Sequence, residues 1–405
     1  MLTHRLPYPP DRGDRIRSYH LLKALAEHFT VDIACTSEDV VWLQHHQLLA
    51  TIADRVLIQP VSANLSRMRG GWAFLTGQPV TPACHYRPGM AATLRQWHER
   101  KPFDVVLTFC TGMIDYARLI TQPQNRTGPP GPNDKPVRHV LDLVDVDSIK
   151  WAGYARHTWA PLRWVYAAEA RRLRRVEAGQ FDHLDAVTVV SDAEALAYRQ
   201  HVGDHPNLQT VHNGVDLDYF SPLADGDPHT LVFVGVLNYR PNAEGITWFV
   251  KRALPTLRKR VANAKLMIVG RHPTQHILEL GRHPGVEVVG SVPDVRQYLQ
   301  QASIVIAPLQ LARGVQNKVL EAMACAKPVV CSPQAAQGIN ADTQRHLRVA
   351  DTPDQWANQI KTLMDEPTLR QSIGRAAREH VEQHHSWQKC LQPMIDLIAG
   401  RTPLA

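Results

Sequence analysis

Short β-rich runs alternate with helix-length amphipathic stretches along the whole of the 405-residue chain, and that alternation is the pattern of parallel sheets joined by crossover helices. The predicted class is α/β. In the first half the spacing places strands at Met1 to Thr3, Thr30 to Cys35, Arg55 to Gln59, Asp104 to Phe109, Arg138 to Leu143, Ala186 to Val190 and Leu208 to His212. Ile16, Tyr19, Leu22, Ala26 and Phe29 follow a helical period behind the first strand, with Asp14 as the expected N-cap. The second half repeats the theme, with strands at Thr230 to Val234, Lys265 to Val269, Val286 to Val289, Ser303 to Ala307 and Pro328 to Cys331.

At about 150 residues per domain the length suits two or three domains. Tyr219 to His229 (YFSPLADGDPH) is rich in Pro, Gly and Asp without periodicity, so it reads as the linker between two Rossmann-like domains. The expected division is 1–215, 216–385 and a C-terminal helix, 386–405, that crosses back to the first domain. The Pro-rich run Thr121 to Pro136 reads as a surface excursion, and its Asn125-Arg126-Thr127 sequon carries no chemistry in this reading.

Composition removes several classes. Hydrophobic residues make up 44% and charged residues 20%, which excludes disorder and a fibrous fold for most of the length. The longest apolar runs, such as Leu231 to Leu237, fall far short of the ~20 residues of a transmembrane helix. The first residues lack an apolar run of signal-peptide length, so a cytoplasmic protein is expected. Six scattered cysteines without a C-x-x-C pair argue against a disulfide framework or a zinc ribbon. The net charge of +7 favours an anionic partner, yet no nucleic-acid reading module accompanies it.

Chemistry concentrates in Pro308 to Ile339 (PLQLARGVQNKVLEAMACAKPVVCSPQAAQGI). A strand leads into a turn with Arg313 and Gly314, then a helix with Val319, Leu320 and Met323 on its apolar face. That order offers the backbone N–H groups of Gly314, Val315, Gln316 and Asn317 to a phosphate, with Arg313 and Lys318 adding charge. Glu321, one turn on, is placed to accept hydrogen bonds from a ribose diol. An ordinary strand, loop and helix with solvated charges is the alternative. Two further strand ends converge on the same crevice if the sheet is doubly wound. One is the run Phe233 to Asn242, with Gly235 for close approach and Arg240 to fork onto a phosphate; the other is Gly290-Ser291-Val292, whose backbone suits a base edge. On the first domain, Asp11, Arg12 and Gly13 lie in a tight loop after the first strand. Asp142, Asp145 and Asp147 end another strand; capping suits Asp147 and acceptor chemistry suits Asp145, with Asp142 as second choice. Neither G-x-G-x-x-G nor G-x-x-x-x-G-K-[ST] occurs, which weakens dinucleotide and P-loop readings.

The pieces V-H-N-G-V-D-L-D-Y-F-S-P (Val211 to Pro222), F-V-G-V (Phe233 to Val236), I-V-G (Ile268 to Gly270) and K-V-L-E-A-M-A-C-A-K-P-V-V (Lys318 to Val330) resemble the retaining family 4 glycosyltransferases of the GT-B fold. More narrowly, R-L-P-Y-P-P-D-R-G-D-R-I-R-S-Y-H, L-V-D-V-D-S-I-K-W and A-R-G-V-Q-N-K-V-L-E-A-M-A resemble the sugar transferases associated with exopolysaccharide and exosortase systems. The resemblance implies two Rossmann-like domains facing across a cleft. The first would bind a glycan or lipid-linked acceptor and the second a nucleotide diphosphate sugar. It implies that Glu321 holds the ribose, that Gly314 to Lys318 form the diphosphate loop and that Gly13 approaches the donor phosphates. Arg313 departs from the family, standing where its first glutamate touches the donor sugar, and is placed to pair with a diphosphate or an acidic sugar. Retention, with the departing phosphate taking the acceptor proton, is implied, with Arg240, Lys318 and the helix amides stabilising leaving-group charge and Asp145 on the acceptor side. No metal or other cofactor is expected.

Two other readings use the same architecture: a nucleotide-sugar 2-epimerase, and an inactive nucleotide-sugar-binding module. Finally, Ser66 to Gly77 (SRMRGGWAFLTG) and Trp151 to Arg175 combine arginines with aromatics, the second with Glu169 as its one acid, which suits an anionic membrane surface at the inner face of the cytoplasmic membrane. A core-packed helix pair broken at Pro161 is the alternative for the latter.

Overall fold

A computed structural model describes residues 1–37, 42–121, 136–156, 158–179, 184–310 and 315–401. Arg313, Gly314, the sequon at Asn125 and nearly all of the Pro-rich run lie outside the described residues. Met1–Val211 with Leu391–Ala405 forms one compact unit, and His212–Cys390 forms another.

The first unit holds β1 (Leu2–Thr3), β2 (Asp32–Ser37), β3 (Arg55–Pro60), β4 (Val105–Phe109), β5 (Arg138–Val144), β6 (Ala186–Val189) and β7 (Leu208–Thr210). They form one sheet in the order β3-β2-β1-β4-β5-β6-β7, every pair parallel. The second unit holds β8 (Asp227–Val234), β9 (Lys265–Val269), β10 (Val286–Gly290), β11 (Ala302–Ala307), β12 (Val329–Cys331) and β13 (Arg348–Val349), ordered β10-β9-β8-β11-β12-β13 and again all parallel. Each sheet therefore reverses its winding once, between β1 and β4 and between β8 and β11. Those are the two points where a ligand crevice opens beyond the carboxyl ends of the strands.

The near-continuous apolar strands are what a sheet covered on both faces requires. On β8, Leu231 and Phe233 pack into a core with Phe249 and Trp356, while Val232 packs into a second core with Val319 and Met323. That two-residue period fixes which face each strand residue serves.

Several expectations are corrected. The division between units falls at Val211/His212, not within Tyr219 to His229. That segment is tied down inside the second unit: Arg378 donates to the Phe220 carbonyl (2.7 Å) and Leu223 N–H donates to the Cys325 carbonyl (3.0 Å). β8 also begins three residues earlier than the apolar run, at Asp227. Asp14 is not the N-cap of its helix, Gly13–Ala26; Arg12 holds that position without a side-chain cap, and Asp14 is ion-paired with Arg5 (2.5 Å) instead.

The buried face of the Gly13–Ala26 helix carries a charge. Arg17, fully buried, donates from Nε (2.9 Å) and Nη2 (3.0 Å) to the carboxylate of Asp142 on β5, and from Nη1 to the Val211 carbonyl (2.8 Å). Thr188 on β6 donates to the same carboxylate (2.9 Å). Removing one partner of such a pair strands a charge out of water, which costs about 3–5 kcal/mol, whereas replacing both with apolar groups is far milder. Arg17→Met is therefore expected to lower the urea stability of the first unit by about that amount, and Arg17→Met with Asp142→Leu to recover most of it. A single variant unfolding at the wild-type midpoint would contradict the assignment.

Candidate functional site

In the second unit the crevice point is built by three elements. β8 ends at Val234 and is followed by Gly235; the helix Arg240–Trp248 follows; and the helix Asn317–Ala324 follows β11. Lys318 on the latter donates from Nζ to Oδ1 of Asn242, whose amide donates to the Val236 carbonyl (2.9 Å). The ammonium also lies 5.0 Å from the centre of the Phe233 ring. Gly235 is required for this approach, because a Cβ there would meet Asn242 Nδ2 at 2.9 Å and Lys318 Nζ at 3.2 Å. Asn213 donates to Oδ1 of Asn317 at 3.3 Å, fixing the first residue of the helix whose leading N–H groups lack intrahelical partners.

Lys318 and Glu321, three residues apart on one helix, share a face. Burial lowers the lysine to about 8 against the opposing effect of the Glu321 charge, and burial raises the carboxyl to about 7 against that of Lys318.

The other donor candidates are less concentrated. Arg240 is an exposed first-turn residue ion-paired with Glu244 (2.7 Å). Gly290, Ser291 and Val292 follow the edge strand β10, which β9 separates from β8; Gly290 has φ of 78° and its carbonyl accepts from Gly270 N–H (2.8 Å), while Ser291 is exposed. Val315 is buried and Gln316 is the N-cap. Asn242 was not singled out by sequence reasoning, although it lies in the run Phe233 to Asn242; only the fold brings its side chain to Lys318.

In the first unit, the carboxyl ends of β4 and β5 each carry a left-handed residue that is not glycine, Cys110 (φ 64°) and Val144 (φ 65°). A β-branched residue held there is strained, and the surrounding bonds must over-determine it. Glu194 accepts from Val146 N–H (3.0 Å), and Glu177 accepts from Ser148 N–H (2.9 Å). Asp145 sits half-buried in this clamped turn. Asp147 is the first residue of the helix Asp147–Arg156 and accepts from the Thr111 hydroxyl (2.6 Å), so the expected capping is done by the two glutamates instead. Asp142 is corrected outright: its carboxylate is fully buried against Arg17 and unavailable to an acceptor.

The other ligand-side loop of this unit lies beyond β1. His4 stacks on Phe109 (6.0 Å between ring centres) and meets His85 edge-on (5.6 Å), while Asp14 is held far below the carboxylate range by His4, Arg5 and Arg12 despite its burial. Asp11 pairs with Arg15 (3.6 Å) and Arg12 with Asp14 (3.5 Å), and Gly13 is exposed at the helix start. Sequence reasoning missed His4 and His85, for which single histidines 81 residues apart give no signal. Among the described residues no group of three His, Cys, Asp or Glu side chains could hold a metal ion.

Residues 228–366 match the family model described as glycosyl transferases group 1. Across the whole chain the backbone resembles sucrose-phosphate synthase from Thermosynechococcus elongatus, with a TM-score of 0.70 at 16% identity over 99% of this chain and 98% of that one. It likewise resembles Anabaena HepE in complex with UDP and glucose, with a TM-score of 0.65 at 14% identity over 98% of both chains. The fold is that of the GT-B class, two Rossmann-like domains in one chain. A GDP-mannose-dependent monoacylated alpha-(1-6)-phosphatidylinositol monomannoside mannosyltransferase of Corynebacterium glutamicum is 26% identical over 51% of this chain and 59% of its own length. The match thus spans somewhat over half of that curated relative.

The close approach at Gly235 yields a direct test. Gly235→Ala is expected to displace Asn242 and Lys318 and to weaken inorganic pyrophosphate binding at least about tenfold by calorimetry, the loss expected for one charge-assisted contact. Unchanged affinity would mean that anions do not use this corner.

Proposed function

We propose that this chain is a retaining hexosyltransferase that moves a sugar from a nucleotide diphosphate sugar to a glycan or lipid-linked glycan in bacterial exopolysaccharide synthesis, on the cytoplasmic side of the membrane. The observation that carries the reading is the corner formed by Gly235, Asn242, Lys318 and Glu321, set at the winding reversal of the unit that matches the glycosyl transferases group 1 model. A cation, helix-terminal amides and a carboxylate one turn further on supply the charges that a diphosphate and a ribose need. The name of the Corynebacterium relative, a sugar-nucleotide-dependent transferase acting on a glycolipid, supports the same class, as does the UDP bound in the Anabaena neighbour.

In the proposed reaction an acceptor hydroxyl oxygen bonds to the anomeric carbon while the bond from that carbon to the diphosphate oxygen breaks. The departing diphosphate takes the hydroxyl proton, and Asp145 orients the acceptor. Lys318 and the amides of Asn317 and Lys318 stabilise the charge on the leaving group, with Arg240 released from Glu244 to join them. Arg313 and Gly314, outside the described residues, are assigned to the diphosphate loop in this reading, with Arg313 pairing with the diphosphate or with an acidic sugar.

Glu321→Ala is expected to weaken nucleoside diphosphate binding by one to two orders of magnitude, as loss of a charged hydrogen-bond acceptor does. Arg240→Ala should weaken a diphosphate more than a monophosphate. Wild-type affinity in both variants by calorimetry would remove the placement. Product analysis separates transfer, which releases free nucleoside diphosphate with a glycosylated acceptor, from epimerisation, which returns an altered nucleotide-sugar.

Affinity should also depend on pH with a definite sign. A bound diphosphate favours charged Lys318, which in the empty site loses its proton near about 8, and ribose hydroxyls favour ionised Glu321, which gains one near about 7. Binding is therefore strongest between these values and falls on both sides by up to about tenfold per pH unit. A flat profile between pH 6 and 9, in calorimetry at about one-unit steps, would contradict the assignment. Because leaving-group charge is assigned to side chains and amides, chelation with EDTA should leave turnover intact; loss restored by manganese would overturn that part.

A further inference from the structure

The helix Ala63–Leu75 is packed the wrong way round for a helix surrounded by water. Its inward face consists of small residues: Ser66, Gly70 and Ala73, of which Gly70 and Ala73 are buried and Ser66 half-buried. Ser66 donates to the Cys84 carbonyl (3.0 Å), Arg87 donates to the Ser66 hydroxyl (2.8 Å), and a Cβ on Gly70 would lie 2.9 Å from the Cys84 sulfur. Apart from Phe74, half-buried under Arg172, the large apolar residues face outward: Leu65, Met68, Trp72 and Leu75 are 41%, 73%, 70% and 79% exposed. At about 100° per residue those four fall in one narrow stripe, opposite the packed face.

The stripe is not an isolated accident of surface composition. Among the described residues of the first unit, every exposed large hydrophobic side chain except Leu196 lies either on this helix or on the segment Tyr154 to Trp164, where Trp159 reaches 91% exposure. The helix Leu162–Glu177 continues from that segment and reaches the end of the Ala63–Leu75 helix, since Arg172 donates to the Phe74 carbonyl (3.1 Å) and covers its ring.

Charge decides the occupant. The Ala63–Leu75 helix contains no acid, and the two carboxylates of the Leu162–Glu177 helix are used internally, Glu169 by the N–H groups of Val80 and Thr81 (2.7 and 2.8 Å) and Glu177 by Ser148. Arg67, Arg156, Arg163, Arg171, Arg174 and Arg175 are exposed on the same two regions. We propose that the Ala63–Leu75 helix lies in the interface of an anionic lipid bilayer, its Met68, Trp72 and Leu75 among the acyl chains and the neighbouring arginines on the head groups. The inference uses no part of the nucleotide corner and is tested without nucleotide, so its failure and that of the transfer reading are separable.

The test is co-sedimentation of the full chain with vesicles of phosphatidylcholine alone and with about one quarter phosphatidylglycerol, the latter carrying the surface charge that arginines sense. Partition is expected to rise about tenfold with the anionic lipid and to fall as salt screens it. The triple variant Met68→Ser, Trp72→Ser, Leu75→Ser, all exposed and so neutral to folding by circular dichroism, should return partition to background. Arg67→Glu with Arg163→Glu should abolish the preference for the charged vesicles. Equal partition into both vesicles, or wild-type binding by the triple variant, would overturn the proposal. So would a dimer in sedimentation equilibrium that the triple variant breaks, because the stripe would then seat a second copy.

Discussion

The first unit is organised around one charge in the wrong medium. Arg17 and Asp142 are fully buried, and the guanidinium has no solvent to fall back on. Its contacts join the helix after β1, the strand β5 and Val211 just beyond β7, while Thr188 brings in β6. A pair like this gives little net stability over well-packed apolar residues, because desolvation consumes most of the Coulombic gain. What it does supply is a position. Alternative placements of the helix leave both charges unpaired, so the loop from His4 to Asp14 and the turn from Val144 to Asp147 start from fixed ends on either side of the β1/β4 reversal.

That arrangement also explains which parts of the chain could be read in advance. Strands such as Leu231 to Phe233 and Ile304 to Ala307 are buried on both faces, so their apolar runs announced them. β13, only Arg348 and Val349 at the edge of the sheet, has no run to announce it. Arg17 is the one charged residue among the buried positions of its helix, and helical periodicity alone assigns a lone arginine to the solvent side. The three carboxylates of D-L-V-D-V-D look alike in sequence. The left-handed turn at Val144 separates them, sending Asp142 inward, leaving Asp145 in the kink and handing Asp147 to a helix.

The side-by-side placement of Lys318 and Glu321 was legible for a different reason. Lys318 and Glu321 are three apart on a helix that begins beyond a buried strand, and that geometry is local. Asn242 was not legible, because its bond to Lys318 spans 76 residues of sequence and depends on Gly235 leaving room. Arg240 shows the converse: Glu244, four residues on, is a local partner that competes with any ligand for the guanidinium.

The electrostatics of the corner follow from the same burial that makes it a pocket for charge. An ammonium removed from water loses solvation, and Asn242 and the Phe233 face return only part of it. Glu321 is the opposite charge nearest in sequence on the same helix, yet it is desolvated as well, so each holds the other only weakly in its charged form. Burial thus makes the lysine side favour added negative charge and the carboxylate side favour hydrogen-bond donors. In the proposed function, a ligand carrying phosphate at one end and a diol at the other would meet both demands at once, with the spacing set by a single turn of helix. An inorganic anion meets only the first. On the proposed reading the corner would discriminate by the joint presence of the two groups, and the close packing around Gly235, Gly245 and Gly270, where an added Cβ would strike Asn242 or main-chain atoms, holds that spacing.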